Sequence, residues 1–364
     1  MSSYFGKLLK ITIFGESHGT GIGFTADGLP AGEAIDLDAL GRFTSRRRAV
    51  GSTLTTPRKE LDEPEFLSGL YNGKTCGTPL TAVIRNADRR SSDYAKLADL
   101  PRPSHADYTA QIKWKGSADL RGGGHFSGRL TAPLVLAGGI ALQMLDRRGI
   151  RIVSHVRRIG HLTDEPLPES LENLSPEALA AMDFPVLSDE KHAEMSALVA
   201  QMRREGDSVG GVIECGIYGL PAGLGGDMFG GIESRLSEVL FGIPAVKGVE
   251  FGDGFALSAM RGSQANDPFR MKDGKVTTET NHSGGILGGI STGSPVIFRV
   301  GIKPTPSIAL PQKTVSLSRG EDDQLVVGGR HDPCIVLRAA PVVEAAAALV
   351  MLDLYLEEVG YGAF

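Results

Sequence analysis

Six short segments of this 364-residue chain set imidazole, hydroxyl and guanidinium groups beside glycine or proline. GESHG, Gly15 to Gly19, places Ser17 next to His18 directly after an apolar run. RPSHADY, Arg102 to Tyr108, joins His105 to Arg102 and Asp107. RGGGHFSGR, Arg121 to Arg129, carries three consecutive glycines, then His125, Phe126, Ser127 and Arg129. NHSGGILGG ends at Gly289, KPTPSI runs from Lys303 to Ile308, and GGRHDPC holds Arg330, His331 and Asp332. Histidine suits proton transfer near neutrality because its unperturbed pKa is about 6.5. Glycine triplets let backbone N–H groups approach an anion or a flat ring. Arginine grips carboxylate and phosphate bidentately. A lone loop histidine is more often structural than catalytic, so only the recurrence of such segments points to chemistry.

The composition sharpens that reading. Net charge is -5 and the pI about 5.9, so a general polyanion such as nucleic acid is a poor partner. Arginines at 102, 129 and 330 nevertheless lie in these segments, and those at 47, 48 and 58 in two further basic stretches. Local positive charge in an acidic chain implies a small, highly anionic ligand. The 48 glycines are about twice the usual share and follow no Gly-X-Y period. Cys76, Cys215 and Cys334 are far apart, which fits a reducing compartment and offers no metal-binding pair; no metal is expected. Lys10 interrupts the first apolar run, so no secretory signal is expected. No membrane-spanning stretch is expected either, which gives a cytoplasmic reading. GIGFTA at 21–26 imitates a dinucleotide fingerprint, and GLYNGKT at 69–75 a phosphate loop; both lack the strand-to-helix context. Arg46–Arg48, as a bare triplet, reads as a solvated charge run.

The elements that must position these groups follow from apolar periodicity. Strands are expected at 8–14, 80–85, 151–156, 209–219 and 294–302, with shorter ones up to about 260. Residues 36–48 predict a helix capped by Asp36, and 229–241 another. Residues 131–147 and 341–360 are apolar nearly all round, which marks two buried helices. Residues 163–207 are polar and predict two surface helices, whereas 261–282 reads as a polar loop. No linker divides the chain, so 1–364 is expected to form one unit. The two apolar helices, one in each half, hint at an internal duplication.

Taken in order, FGESHG, RRR, TTPRKE, LSGLYNGKTCGTPL, RPSHADY, RGGG, VKGVEFGDGF, NHSGGILGGIS, KPTPSI and GRHDPC resemble the chorismate synthase family over nearly the whole chain. The resemblance implies an α+β fold, a β-α-β sandwich with buried helices between antiparallel-rich sheets. It implies a 1,4-anti elimination of phosphate from 5-enolpyruvylshikimate 3-phosphate, dependent on reduced FMN, at the last step of the shikimate pathway. NADPH or an external donor would supply the reducing equivalents, and a homotetramer is implied. It assigns His18 as general acid toward the departing phosphate, His105 as the group that protonates the reduced flavin and Asp332 to assist removal of the C6 proton, with Ser17 and Ser127 as relay or positioning groups. Arg47, Arg48, Arg58, Arg102, Arg129 and Arg330 would clamp the substrate. His125, Phe126, Ser127, Ala245, Gly288, Lys303, Pro304, Thr305, Pro306, Ser307 and Arg330 would line the FMN site. The family usually has RGGGRSSARET where this chain has RGGGHFSGRLT, and Ser104 replaces a usual glycine.

Overall fold

The computed structural model describes residues 3–48, 62–86, 97–272, 274–328 and 331–360. Two five-stranded antiparallel sheets enclose helices. The first sheet contains β1 (Tyr4–Phe5), β2 (Lys10–Gly15), β3 (Gly21–Asp27), β4 (Pro64–Ser68) and β5 (Leu80–Arg85), in the order β1-β2-β3-β5-β4. The second contains β6 (Arg151–Ile159), β7 (Leu162–Thr163), β8 (Gly211–Tyr218), β9 (Val246–Phe251) and β10 (Val296–Ile302), in the order β9-β10-β8-β6-β7. The helices are α1 (Leu37–Ser45), α2 (Asp107–Lys113), α3 (Thr131–Asp146), α4 (Pro176–Ala180), α5 (Asp189–Glu205), α6 (Ile232–Leu240), α7 (Gly262–Ala265) and α8 (Ala340–Val359). This is the α+β sandwich expected from the sequence. Its halves repeat one order: β2, β3, α1, β4, β5, α3 against β6, β8, α6, β9, β10, α8. The four main strands sit first-second-fourth-third in each sheet.

Helices α3 and α8 cross at the centre, where one hydrophobic cluster links both sheets. Small residues set their closeness. A Cβ on Gly138 would stand 2.3 Å from the Cβ of Ala345, and one on Gly139 would stand 2.6 Å from Leu40. Bulk at Gly138 would force α3 away from α8, and bulk at Gly139 would force it away from α1, at a cost of about 1–3 kcal/mol. Asp36 caps α1 as expected, accepting a hydrogen bond from the Ala39 N–H at 2.9 Å. α8 also carries two buried carboxylates. Glu344 takes a bidentate grip from Arg46 at 2.5 and 2.9 Å and accepts from Ser154. Asp353 accepts the N–H groups of Lys7, Leu8 and Leu9 and pairs with Arg235. The turn between β1 and β2 is thereby tied to the last helix.

The two imitation nucleotide motifs lack the strand-to-helix context, as expected, and other expectations change. GIGFTA is strand β3 itself, and GLYNGKT is a hairpin of Leu70–Tyr71 with Lys74–Thr75. Arg46 and Arg47 face inward rather than solvent, because each has a carboxylate waiting inside the fold. The strands expected up to 260 reduce to β9, followed by short 3-10 turns over Gly254–Ala259. The polar 261–282 loop contains α7 and a hairpin pairing Phe269–Lys272 with Lys275–Thr278. The segment Gly128–Asp146 is long and apolar enough to cross a membrane, contrary to the expectation of no such stretch. Burial of 78% of its apolar window inside this chain identifies it as the core helix.

Candidate active site

The triple glycine turn is the centre of the site. Gly122, Gly123 and Gly124 have φ values of 61°, 87° and 54°, which side-chain-bearing residues rarely adopt. A Cβ on Gly122 would lie 2.3 Å from Cδ2 and 2.5 Å from Nε2 of His18, and 2.9 Å from Oγ of Ser17. A Cβ on Gly123 would lie 3.3 Å from both Cε1 and Nε2 of His105 and 3.5 Å from Cβ of Ser127. Consecutive Cα atoms are ~3.8 Å apart, so both imidazoles border one turn. The Ser17 N–H donates to the Gly124 carbonyl at 3.1 Å and fixes GESHG against it.

His105 belongs to a buried polar cluster. Asp107 is fully buried at the start of α2. It accepts Nε and Nη2 of Arg102 at 2.7 and 2.8 Å, and its Oδ1 lies 2.6 Å from Nδ1 of His105. Burial alone would raise the Asp107 pKa. The hydrogen bonds from Arg102 and His105 outweigh burial and hold the carboxyl far below its ordinary range. Arg102 also donates from Nη1 to Oγ of Ser307 at 3.1 Å. Lys303 donates to the Ser104 carbonyl at 2.7 Å, and its backbone N–H donates to the carbonyl of Ala245 at 3.0 Å. KPTPSI, Ala245 and RPSHADY are therefore one patch. Pro304 adjoins Gly210, Thr305 accepts from Ser208, and Pro306 accepts from Gln312.

A second cluster adjoins the first. Asp62 holds both Arg129 and Arg47, the latter at 3.1 Å, and Arg47 also reaches Thr131 and the Gly128 carbonyl. Asn86 accepts from Arg129 at 3.2 Å and donates to the carbonyls of Glu16 and Gly19, on either side of His18. Arg338 donates to the Arg47 carbonyl and to Asp332, both at 2.8 Å. His18, Arg129, Arg47 and Asp332 are thus joined through a few polar links rather than spread over separate faces. Sequence reasoning assigned no role to Asp62, Asn86 or Arg338; nothing near them in the sequence marks them.

The remaining candidates fall as follows. His125 is held by the Gly15 carbonyl at 2.8 Å and Ser3 Oγ at 2.5 Å, and Phe126 packs on Trp114. Ser127 caps the turn into α3 by accepting from the Arg129 N–H. Gly288 sits on a hairpin of Ile286–Leu287 with Ile290–Ser291, whose contacts run to Gly226, Gly231 and Ile232. That hairpin adjoins the Val296 end of β10, whereas Lys303 follows its Ile302 end. A strand of seven residues separates them by roughly 20 Å, so one chain does not bring Gly288 to the histidine turn. Arg58 and Arg330 lie outside the described residues.

The patch has features that suit an anionic group. Oγ1 of Thr305, in this patch, is buried with no hydrogen-bonding partner among the described residues; so is Nε of Arg48, which follows Arg47 of the second cluster. Burial and then the neighbouring Lys247 lower the pKa of Lys303, a state that an incoming phosphate would relieve. Among the described residues no group of three or more acidic, histidine or cysteine side chains could hold a metal ion.

An α+β sandwich that sets two imidazoles on one glycine turn, with arginine–carboxylate clusters beside it, has the make-up of an enzyme site. The comparisons narrow the class. Residues 9–356 match the family model for chorismate synthase. Chorismate synthase of Thermococcus kodakarensis is 48% identical over 351 residues, covering 96% of each chain. That of Lancefieldella parvula is 47% identical over 365 residues, covering 97% of this chain and 96% of its own. A crystal structure of chorismate synthase superimposes with a TM-score of 0.73 at 27% identity, over 98% of this chain and 94% of that one. The chain belongs to the chorismate synthase family, and it is an enzyme of the carbon–oxygen lyase class.

Proposed function

We propose that this protein removes phosphate from 5-enolpyruvylshikimate 3-phosphate by 1,4-anti elimination, giving chorismate and inorganic phosphate. The observation that carries the reading is the pair of imidazoles, His18 and His105, on adjacent glycines of one turn. In the reaction the C6–H bond and the bond from C3 to the phosphate oxygen break, and a second ring double bond forms. Arg48, with Arg129 and Arg47 that share Asp62, would answer the charge of the substrate; Arg58 and Arg330 would complete the proposed clamp. His18 gives its proton to the departing phosphate, and Ser17 beside it positions that group. Asp332, oriented by Arg338, assists removal of the C6 proton.

Reduced FMN would be held by Lys303–Ser307, Ala245 and the His125–Ser127 stretch, and it would supply electron density that the ring system returns within the same turnover. His105 presents Nε2 toward that region from Gly123. One continuous hydrophobic cluster supports treating 1–364 as a single unit, and we infer a cytoplasmic homotetramer, in keeping with the family. The test is anaerobic phosphate release from the substrate with dithionite-reduced FMN. Stoichiometric phosphate and chorismate are expected, and binding of substrate and reduced FMN without phosphate release would reject the reading.

A further inference from the structure

His105 has two ring nitrogens, and the structure distinguishes them. Nδ1 lies 2.6 Å from Oδ1 of Asp107, and Nε2 faces Gly123. A carboxylate oxygen and a bare imidazole nitrogen at that separation would set two lone pairs against each other. Asp107 is held ionised by the two hydrogen bonds from Arg102, so the proton between them belongs to Nδ1. Arg102 Nη2 also comes within 3.0 Å of Nδ1, but it has Asp107 Oδ1 to donate to at 2.8 Å. Once Nδ1 carries the proton, that nitrogen offers no acceptor.

Resting on the phosphate-elimination reading, we propose that Asp107 is the positioning residue for His105. It fixes the Nδ1–H tautomer and aims Nε2 at the reacting region, and Arg102 keeps the carboxylate charged and oriented. The arrangement parallels the carboxylate–imidazole pairing that sets the tautomer in serine hydrolases, on an unrelated fold. It also assigns Arg102 an inward task, since the same guanidinium reaches Ser307 and so ties the imidazole to the segment proposed to hold the cofactor.

The experiment is ¹⁵N NMR of protein labelled at the histidine ring nitrogens, without substrate or FMN, with His105→Gln assigning the signal. In the neutral ring, wild-type His105 should carry its proton on Nδ1. In Asp107→Asn, whose amide can donate to Nδ1, the proton should move to Nε2 while the His18 signals stay in place. Because Asp107→Asn strands a buried guanidinium, Arg102→Gln/Asp107→Asn is the second variant; it removes both charges and should show the same tautomer change. Anaerobic turnover is the other arm. Asp107→Asn should lose roughly 10²–10⁴-fold in kcat, as His105→Gln does, with KM within about threefold. Asp107→Asn/His105→Gln should be no slower than His105→Gln alone. An Nε2–H tautomer in wild type, no change in either variant, or wild-type kcat in Asp107→Asn would overturn the proposal. If the NMR result holds while wild-type protein releases no phosphate, the reaction reading fails and the positioning of His105 stands.

Discussion

Two buried histidine clusters in this molecule differ in one respect. On the outer face of the second sheet, His155 is fully buried with both ring nitrogens occupied: Nδ1 is 3.2 Å from Asp164, and Nε2 is 3.1 Å from Glu214. Those carboxylates also accept the N–H groups of Leu167, Leu187 and Ser188, which fastens the polar segment after β7 to the sheet. At the glycine turn, His105 commits Nδ1 to Asp107 and leaves Nε2 against a residue with no side chain. An imidazole clamped at both nitrogens holds structure together. One clamped at a single nitrogen and opened by glycine at the other can move a proton.

The largest effect should come from the open cluster. His18→Ala is expected to lose roughly 10²–10⁴-fold in anaerobic turnover, with its melting temperature nearly unchanged. Gly122→Ala puts a methyl group into the space of His18 at a positive φ. A tenfold or greater loss of turnover is expected, and wild-type rates would show that the turn need not be bare. His155→Ala should instead destabilise by about 1–3 kcal/mol in chemical denaturation, because it removes one hydrogen-bonding partner from each of two buried carboxylates, although Glu214 keeps Arg299 at 2.7 Å. Turnover of the folded fraction should remain within about threefold of wild type.

The pH dependence of stability sharpens the same contrast. Burial alone would lower the His155 pKa, but Asp164 and Glu214 outweigh it and raise it. For both carboxylates burial acts upward, and the hydrogen bond from His155 leads the effects that bring the pKa below normal. Stability from the imidazolium is present in full below about pH 6.5 and is lost as pH rises through the higher folded value. Stability from the carboxylates is present above about pH 4 to 4.5 and is lost as pH falls through their lowered folded values. The melting temperature should therefore be highest between these limits. His155→Gln should abolish the alkaline decline, and an unchanged profile would contradict the cluster's role. The smallest effect belongs to the exposed Arg319 network with Glu321 and Asp323; Arg319→Ala should leave the melting curve where it was.

Much of the scaffold was readable from the chain alone. β5 occupies the expected 80–85, and α3 ends one residue before its expected limit, because strong apolar patterning leaves few alternatives. The Phe269–Lys272 hairpin was missed because its first strand is exposed throughout and presents no buried face to alternate. Its one signal is the Asp273-Gly274 dipeptide, a hairpin-turn pair. At the site, His18, His105 and the arginines stood out as polar residues among glycines. Asp62 and Asn86 did not, since each meets Arg129 from 67 and 43 residues away, a distance set by the fold. His155 lay unmarked in an apolar strand for the same reason: its partners Asp164 and Glu214 arrive from beyond that strand.

The most direct measurement is the rate of anaerobic phosphate release from 5-enolpyruvylshikimate 3-phosphate, with reduced FMN, for wild type, His105→Ala and His155→Ala side by side. The expected result is active wild type, His105→Ala slower by at least roughly 10²-fold, and folded His155→Ala near the wild-type rate. Equal losses in the two variants, or none in His105→Ala, would contradict the division between an imidazole that holds and an imidazole that reacts.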